Sequence, residues 1–189
     1  MIIFGASGHG KVLNSVNPES VKFFFDDNVG ITSWCKKKVV PYKSTFMSSE
    51  PVIIGIGDNA MRKMIVQKVS HEFTSLKHAS ALIAASAKIE IGSQILHNAT
   101  IQADTVIGQH VIVNTKASID HDCIIKNYVH IAPGATLCGN IMIGEGTLVG
   151  AGAVILPNIT IGSWCTIGAG SVITKNVEDG AKVFGNPAK

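Results

Sequence analysis

The sequence lacks the cysteine patterns of zinc-binding and disulfide-rich proteins. Its four cysteines form no C-x-x-C pair, which argues against a structural zinc site and against a dithiol redox motif. In a reducing compartment we expect these side chains to behave as small hydrophobic groups rather than as disulfide partners. They are Cys35, Cys123, Cys138 and Cys165.

Strong charge and long apolar runs are also missing. The formal net charge is only +3, and the single basic run is Lys36-Lys37-Lys38, which is more typical of a solvated loop than of a nucleic-acid surface. No apolar run approaches the roughly 18 residues of a membrane helix, and the start MIIFG has no basic region or cleavage site. We therefore expect no nucleic-acid partner, no membrane segment and a cytoplasmic location.

A glycine-rich loop near the amino terminus matches two phosphate-binding signatures incompletely. Gly5-x4-Gly10-Lys11 fits an ATP-binding P-loop, but Val12 stands where a Ser or Thr would hold magnesium. A dinucleotide fingerprint would place its middle glycine at position 7, whereas this loop has Gly8. The mismatch at Val12 argues against an ATPase and leaves open which anion the loop binds.

The second half of the chain has an internal repeat of six residues. Every sixth residue from Ile83 to Ile173 is Ile, Val or Leu, without exception over sixteen positions. At the overall hydrophobic frequency of 46%, sixteen hydrophobic residues in register would occur by chance about four times in a million. The residue four positions later is mostly small, so each hexapeptide is predicted to be a short strand plus a turn, with glycines such as Gly108 and Gly144 easing tight corners.

This repeat resembles that of the hexapeptide-repeat acyltransferases, in which three hexapeptides form each coil of a left-handed parallel β-helix. Fifteen full repeats correspond to five coils, or about 24 Å of stacked strands at roughly 4.8 Å per strand. No hexapeptide is interrupted between residues 83 and 173. The resemblance therefore predicts a β-helix of about five coils without an inserted loop.

The segment 1–78 lacks the six-residue period and is typical of a small α/β domain. We predict strands at 2–4, 21–25 and 52–56, a short helix at 11–16 and a longer one at 59–69 that begins with Asp58 or Asn59 as N-cap. Strand, glycine turn, helix and strand form a βαβ unit of a parallel sheet. The expected domains are thus residues 1–78, Rossmann-like, and 79–189, the β-helix with its tail.

Glycines or acidic residues follow each of the three predicted strands of the first domain. Because ligands of open parallel sheets bind beyond the carboxyl ends of the strands, these residues are expected to border one crevice. Glycines let backbone N–H groups approach an anion, and acidic residues about 20 positions later can bind sugar hydroxyls. Ordinary turns would give the same pattern, and His9 could contact phosphate or only pack. The candidates are Gly8, His9, Gly10, Asp26, Asp27 and Gly57.

His121 is the strongest catalytic candidate in the second domain. It lies between Ile119 and Cys123, both predicted to point inward, so its own side chain must point outward. Asp120 and Asp122 flank it, and a neighbouring carboxylate favours the imidazolium and raises the basicity of the ring. The sequence therefore predicts a histidine suited to general-base catalysis. The alternation points Cys123 away from this site.

Taken together, GASGHGKV, FDDN, IGIGDN, IDHDC and GNPAK are similar to motifs of the bacterial sugar acetyltransferases, which include sialic acid O-acetyltransferases and UDP-4-amino-sugar N-acetyltransferases. The resemblance covers essentially the whole chain. It implies a homotrimer in which the amino-terminal domain binds the nucleotide-sugar and the β-helices bind acetyl-CoA between neighbouring subunits. It also implies that the six residues of the crevice contact the nucleotide-sugar.

The same resemblance assigns roles to residues of the β-helix. His121 matches the catalytic histidine and Asp122 the acidic residue that follows it. His130 matches a second histidine near the thioester, and Ala151 and Ala169 match positions that contact the coenzyme. These two alanines are three hexapeptides, or one coil, apart and should stack in one column with Thr115 and Pro133.

The expected function is transfer of acetyl from acetyl-CoA to the amine of a nucleotide-activated amino-sugar for surface glycan synthesis, without a metal. One alternative is O-acetylation of a sialic acid or a related sugar. A second is a β-helical carbonic anhydrase, although the β-helix histidines are 13, 11 and 9 residues apart, unlike the close ligand pairs of such zinc sites. A third is a catalytically silent nucleotide-sugar sensor.

Overall fold

The computed structural model describes all 189 residues, Met1–Lys189. The chain divides into two compact units, Met1–Leu76 and Lys77–Lys189. Neither α-helix is long or apolar enough to cross a membrane.

The first unit is built on a five-stranded sheet in the order β3-β4-β2-β1-β5. All neighbouring strands are parallel except β3 and β4, which form an antiparallel hairpin. Along the chain the elements are β1 Ile2–Phe4, α1 Gly8–Val16, a 3₁₀ turn Pro18–Ser20, β2 Phe23–Phe25, β3 Ser33–Trp34, β4 Lys37–Val40, β5 Val52–Ile54 and α2 Asn59–Lys68.

Several boundaries differ from those predicted. Helix α1 begins at Gly8 rather than at residue 11, strand β2 begins at 23 rather than 21, and β5 ends at 54 rather than 56. The glycines of α1 were interpreted as turn residues, but Gly10 is a packing residue: a Cβ built there would lie 2.0 Å from the carbonyl oxygen of Gly5. The helix can therefore include Gly10 and pack closely on the loop before it.

The β3–β4 hairpin was not predicted. Its turn contains Cys35 and Lys36 with φ of 49° and 61°, the left-handed conformation that a two-residue hairpin turn requires. The lysine run interpreted as a solvated loop therefore supplies both the turn and the start of β4. Short strands of mixed polar and apolar residues carry no clear sequence period, which explains the omission.

The second unit is a parallel β-helix whose three sheets contain six, five and seven strands. From β6 to β19 each strand pairs with the third strand after it, as β10 does with β13 through Ile101 and Ile119, so three hexapeptides form one coil. The first sheet contains β7 Leu82–Ile83, β10 Thr100–Ile101, β13 Ser118–Ile119, β16 Thr136–Leu137, β19 Val154–Ile155 and β22 Val172–Ile173. The second contains β8 Lys88–Ile89, β11 Val106–Ile107, β14 Ile124–Ile125, β17 Met142–Ile143 and β20 Thr160–Ile161. The third contains β6 Leu76–Lys77, β9 Gln94–Ile95, β12 Ile112–Val113, β15 His130–Ile131, β18 Leu148–Val149, β21 Thr166–Ile167 and β23 Lys182–Val183.

The repeat positions form the core of the β-helix, as predicted. Every strand from β7 to β22 ends in one of the sixteen aliphatic residues, and fourteen of these are buried. Ile83 and Ile89, in the first coil, are partly buried. The second sheet has five strands, which agrees with the estimate of about five coils; the first has a sixth because the sixteenth aliphatic residue, Ile173, forms β22, and β6 and β23, which lie outside the six-residue period, extend the third sheet to seven.

Small polar residues of the repeat are satisfied inside the core. The hydroxyl groups of Ser93, Thr105 and Thr147 donate to the carbonyl oxygens of Gly108, Asp120 and Gly162, each at 2.7 Å. A buried hydroxyl is tolerated when it has such a partner. These three bonds allow a narrow prism to contain polar side chains.

The glycines that follow the aliphatic positions have a different role from the one predicted. A Cβ on Gly144 would lie 2.4 Å from the carbonyl carbon of Gly162 in the next coil, and Gly108 is similarly close to Asn127. Close stacking of coils, rather than a tight corner, requires glycine there. The residues with a left-handed backbone conformation come two positions after these glycines in the repeat. They occur in fourteen successive turns, from Gly92 to Gly170. Nine of them are not glycine: Asn98, Asp104, His110, Lys116, Asp122, Tyr128, Asn140, Asn158 and Trp164.

Candidate active site

His121 and Asp122 form the turn between β13 and β14. Asp122 has a φ of 58°, and its Oδ2 lies 2.7 Å from Nδ1 of His121. The backbone N–H of His121 donates to Oδ1 of Asp120 at 2.8 Å. The side chains of His121 and Asp122 are each 58% exposed, so the predicted outward orientation of His121 is confirmed.

This arrangement makes His121 a stronger base. The hydrogen bond to Asp122 raises the pKa of His121 above its ordinary value, the charges of Asp120 and Asp122 act in the same direction, and partial desolvation opposes them. Because Nδ1 donates to the carboxylate, the neutral ring keeps its lone pair on Nε2. Nε2 is therefore the atom able to accept a proton from an acceptor group.

Cys123 is unsuited to act as the nucleophile. Its side chain is fully buried, and its Sγ donates to the carbonyl oxygen of Cys138 at 3.2 Å. Burial raises the pKa of this thiol, which disfavours the reactive thiolate. The predicted inward orientation of Cys123 is confirmed, and its thiol is not available as a nucleophile beside His121.

His130 lies on β15 and is half-buried. Its Nε2 lies 3.1 Å from Nδ2 of Asn114, whose Oδ1 accepts from the backbone N–H of Thr115 at 2.8 Å. That second bond fixes the amide so that Nδ2 donates to the imidazole. Asn114 therefore holds His130 with Nε2 as an acceptor.

The predicted column of small turn residues is present in the β-helix. Gly134 donates its backbone N–H to the carbonyl oxygen of Thr115, and Gly152 and Gly170 do the same to Pro133 and Ala151, at 2.8–3.0 Å. The turns carrying Thr115, Pro133, Ala151 and Ala169 thus stack along one edge. Ala151 and Ala169 are exposed, which leaves a shallow surface of small side chains.

In the first unit, the glycine loop follows β1, and β2 and β5 pair with that strand on either side. Their carboxyl ends are joined by hydrogen bonds, from Gly5 N–H to the carbonyl oxygen of Phe25 and from Gly55 N–H to that of Phe4, each 2.7 Å long. Gly8 is exposed at the start of α1, and His9 is half-buried beside it. The carboxyl ends of β1, β2 and β5, which the sequence predicted to border one crevice, are therefore neighbours in the sheet.

The two aspartates after β2 differ in their partners. Asp26 accepts hydrogen bonds from the backbone N–H groups of Ala6 at 2.7 Å and Asn28 at 2.9 Å, so its carboxylate holds the glycine loop in place. Asp27 is half-exposed and pairs with Lys68 at 2.5 Å. Asp26 therefore stabilises the loop, while Asp27 and Lys68 form a polar pair at the surface.

Arg62 is a residue of this region that the sequence analysis missed. It is fully buried on α2, and its guanidinium donates to the carbonyl oxygens of Ile56 and Gly57, both at 3.1 Å, and to Oδ1 of Asn59 at 2.8 Å. A signal was available, because Arg62 is three residues before Ile65 and shares its buried stripe. Arg62 fixes the loop that contains the candidate residue Gly57.

Trp34 was missed together with the β3–β4 hairpin. Its indole Nε1 donates to the carbonyl oxygen of Ser7 at 3.2 Å. The ammonium of Lys11 lies 5.0 Å from the centre of the indole ring, a cation–π contact. Trp34 and Lys11 therefore flank the glycine loop.

No group of three or more His, Cys, Asp or Glu side chains in the chain is placed to hold a metal ion.

Comparison with known families matches both units. A model of the PglD N-terminal domain matches residues 1–69. A model of the six-repeat bacterial transferase hexapeptide matches residues 104–139 and 140–175.

Solved structures of acetyltransferases match over the whole chain. The acetyltransferase domain of PglB from Neisseria gonorrhoeae, also determined with acetyl coenzyme A, is 35% identical, with a TM-score of 0.94 over 100% of this chain and 97% of that one. WeeI from Acinetobacter baumannii is 30% identical, with a TM-score of 0.91 over 100% and 97%. Perosamine N-acetyltransferase from Caulobacter crescentus, in complex with CoA and GDP-perosamine, is 29% identical, with a TM-score of 0.94 over 100% and 94%.

The chain belongs to the bacterial sugar acetyltransferases of the hexapeptide-repeat superfamily, which confirms the family inferred from its motifs. The predicted fold class, a small Rossmann-like domain followed by a left-handed parallel β-helix, is confirmed as well.

Proposed function

We propose that the protein transfers the acetyl group of acetyl-CoA to the amine of a nucleotide-activated amino-sugar, a UDP-4-amino-sugar in the first instance. The observation that carries this proposal is the exposed His121, whose Nδ1 is bonded to Asp122 at 2.7 Å on a β-helix of the acetyltransferase family. Among the similar structures, the Caulobacter crescentus enzyme is named as a perosamine N-acetyltransferase and was determined with GDP-perosamine.

In the proposed reaction, the neutral sugar amine attacks the thioester carbonyl of acetyl-CoA. Nε2 of His121 accepts a proton from the attacking nitrogen, and Asp122 stabilises the imidazolium that forms. The new C–N bond replaces the C–S bond, and the proton goes on to the departing CoA sulfur, so that the products are the amide and free CoA. Transfer is direct, because the nearby thiol of Cys123 is buried.

The first unit is proposed to bind the nucleotide-sugar. The start of α1, with the exposed Gly8 and the half-buried His9, is proposed to present backbone N–H groups to the diphosphate. The short distance between Gly10 and the Gly5 carbonyl oxygen gives this loop its shape. Asp26, Asp27 and Gly57 complete the proposed contacts.

The β-helix is proposed to bind acetyl-CoA. The stacked small residues of the column, Ala151 and Ala169 among them, leave room for a pantetheine arm, and His130 is proposed to lie near the thioester. A side chain as exposed as His121 needs a second wall to form a water-poor cleft, which supports a homotrimer with the cleft between subunits. The mass in solution should then be about three times 19.9 kDa, and a monomer would contradict this part of the proposal.

The proposed location is the cytoplasm. All four cysteines are free thiols, and Cys123 and Cys165 are buried as small members of the β-helix core. Such cysteines suit a reducing compartment. Fractionation of cells that produce the native protein would test this.

A panel of UDP-, dTDP- and GDP-4-amino-sugars tests the activity, with acetyl-CoA as donor and free thiol as readout. We expect thiol release with at least one member, and a fall of about 100 to 10,000-fold in kcat for His121→Ala. Gln109→Ala is the control, because Gln109 occupies the equivalent turn position on another corner and is exposed.

Sialic acids and related free sugars form a second arm of the panel. Acetylation of a free sugar, together with no measurable binding of UDP, would favour the O-acetyltransferase alternative. Absence of thiol release with every acceptor would favour a silent sensor, and stoichiometric zinc in the purified protein would favour the carbonic anhydrase.

A further inference from the structure

Gly139 is unusual among the residues that share its place in the repeat. In each hexapeptide, the second residue after the aliphatic position opens the turn, and His121 is one of these residues. Sixteen such positions occur between Ala85 and Lys175, and Gly139 is the only glycine among them. Two are prolines, Pro133 and Pro157. The turn therefore accepts side chains here, and the backbone alone does not demand a glycine.

The backbone conformation of Gly139 supports the same conclusion. Gly139 does not have a positive φ, whereas the next residue in its turn, Asn140, has a φ of 57°. An alanine at 139 would therefore meet no conformational penalty of its own. The reason for the glycine must be something in the space where its side chain would be.

The space beside Gly139 is filled by the imidazole of His121. A Cβ built on Gly139 would lie 2.6 Å from both Cε1 and Nε2 of His121 and 3.2 Å from Nδ1. Gly139 follows His121 by three hexapeptides, one coil, and the strands before them, β13 and β16, are paired. One side of the ring thus lies against the next turn, while the His121 side chain as a whole remains 58% exposed.

We infer that Gly139 is a positioning residue for the acetyl transfer, because its missing side chain provides the seat that holds the His121 ring against Asp122 with Nε2 uncovered. This inference rests on the proposed role of His121 as the base. The backbone N–H of Asn140 donates to the carbonyl oxygen of His121 at 2.9 Å. The amide Nδ2 of Asn140 donates to Oδ1 of Asn158 in the following coil at 2.8 Å. The turn that forms the seat is therefore bonded to the coils on both sides.

The seat matters for two atoms of the ring. A methyl group at 139 must displace the imidazole, which lengthens the 2.7 Å contact between Nδ1 and Asp122. The same methyl group approaches Nε2, the atom that accepts the proton. Misplacement of a reacting group by about 1 Å can cost on the order of 100-fold in rate.

Gly139→Ala tests the inference, with Ala85→Ser as the control that adds one heavy atom at an equivalent exposed turn position. We expect kcat to fall about 100-fold in Gly139→Ala and to stay within about twofold in Ala85→Ser. The ring of His121, followed by NMR in ¹³C-histidine-labelled protein, should titrate at lower pH in Gly139→Ala because it has moved away from Asp122. A loss of general stability would not move that titration.

The double variant His121→Ala/Gly139→Ala separates the seat from a structural role. If Gly139 acts through the ring, adding Gly139→Ala to His121→Ala lowers neither the residual kcat nor the thermal stability any further. Native activity and an unchanged His121 titration in Gly139→Ala would overturn the inference. So would unfolding of Gly139→Ala that persists in the double variant.

The two proposals fail in different ways. Native activity of His121→Ala would defeat the assignment of the base itself. Loss of activity in His121→Ala together with native activity in Gly139→Ala would defeat the seat alone.

Discussion

His121 and Asp122 are adjacent in the sequence, and their side chains meet, with Nδ1 and Oδ2 separated by 2.7 Å. Asp122 has the left-handed backbone conformation that recurs every six residues along the β-helix. The carboxylate is thus placed by the regular turn of the fold. The same turn geometry occurs at Asp104 and Asn140, so the contact between His121 and Asp122 requires no irregular backbone.

Replacing Asp122 with Asn should change the pH dependence of activity. Asp122 raises the pKa of His121, and a general base works only when it is unprotonated. The acid limb of the kcat/KM profile should therefore move to lower pH in Asp122→Asn, since the free imidazole persists to lower pH. The plateau should fall by about tenfold or more, because a less basic and less oriented imidazole accepts a proton less readily.

Initial rates of thiol release across the pH range would measure both effects. Asp104→Asn is the matched control, because Asp104 occupies the equivalent left-handed position one coil earlier and should leave the profile unchanged. An acid limb that stays in place in Asp122→Asn would show that Asp122 does not set the basicity of His121.

Gly8 and Gly10 should respond differently to alanine. A Cβ on Gly8 meets nothing within 4 Å, whereas a Cβ on Gly10 lies 2.0 Å from the carbonyl oxygen of Gly5. Gly8→Ala should leave the free energy of unfolding unchanged or raise it by up to about 1 kcal/mol, because alanine favours a helix. Gly10→Ala should lower it by about 1–3 kcal/mol or more through overpacking.

Binding of the nucleotide-sugar distinguishes the two variants further. If the diphosphate approaches the start of α1, Gly8→Ala should weaken binding, measured calorimetrically, even though the domain remains folded. A folded Gly8→Ala variant with native affinity would argue against that position of the diphosphate.

Replacing Arg62 should affect the nucleotide-sugar more than acetyl-CoA. Arg62→Met removes the donors to the part-buried carbonyl oxygens of Ile56 and Gly57, and the loss should cost less than the roughly 1–3 kcal/mol of a fully buried acceptor left without a partner. The loop around Gly57 should loosen and KM for the nucleotide-sugar should rise. Arg62→Lys keeps the charge but lacks the planar set of donors, so its effect should be intermediate.

Steady-state kinetics with each substrate varied in turn, together with chemical unfolding, would measure these changes. KM for acetyl-CoA is the internal control and should stay near its native value. If stability falls while both KM values stay native, Arg62 supports only the fold.

The β-helix was predictable because a single physical constraint repeats. A narrow prism admits one large aliphatic and one small side chain per hexapeptide. The sixteen aliphatic residues spaced six apart from Ile83 to Ile173 follow from that constraint. The same period showed that His121 points outward and Cys123 inward. The role of Gly144 was misinterpreted, because its requirement comes from Gly162 in the next coil rather than from its own turn.

The first unit was less predictable because its elements are short and its key contacts are distant in sequence. Trp34 reaches Ser7, and Asp26 reaches Ala6, across 27 and 20 residues. A local sequence period does not predict contacts between residues so far apart in the chain. The burial of Arg62 was overlooked because a charged residue on a predicted helix is ordinarily assigned to the solvent face, although Arg62 shares the buried stripe of Ile65.

By itself, the sequence determined the architecture of the β-helix, the order of the two domains and the identity of the histidine that faces outward, because these follow from periodic burial along the chain. Only the tertiary structure revealed that Gly139 lies beneath the His121 ring, that Asn114 holds His130 and that Arg62 fixes the Gly57 loop. Those contacts join residues that stacking and sheet formation bring together. Their geometry depends on distances between coils and strands, which a linear pattern does not contain.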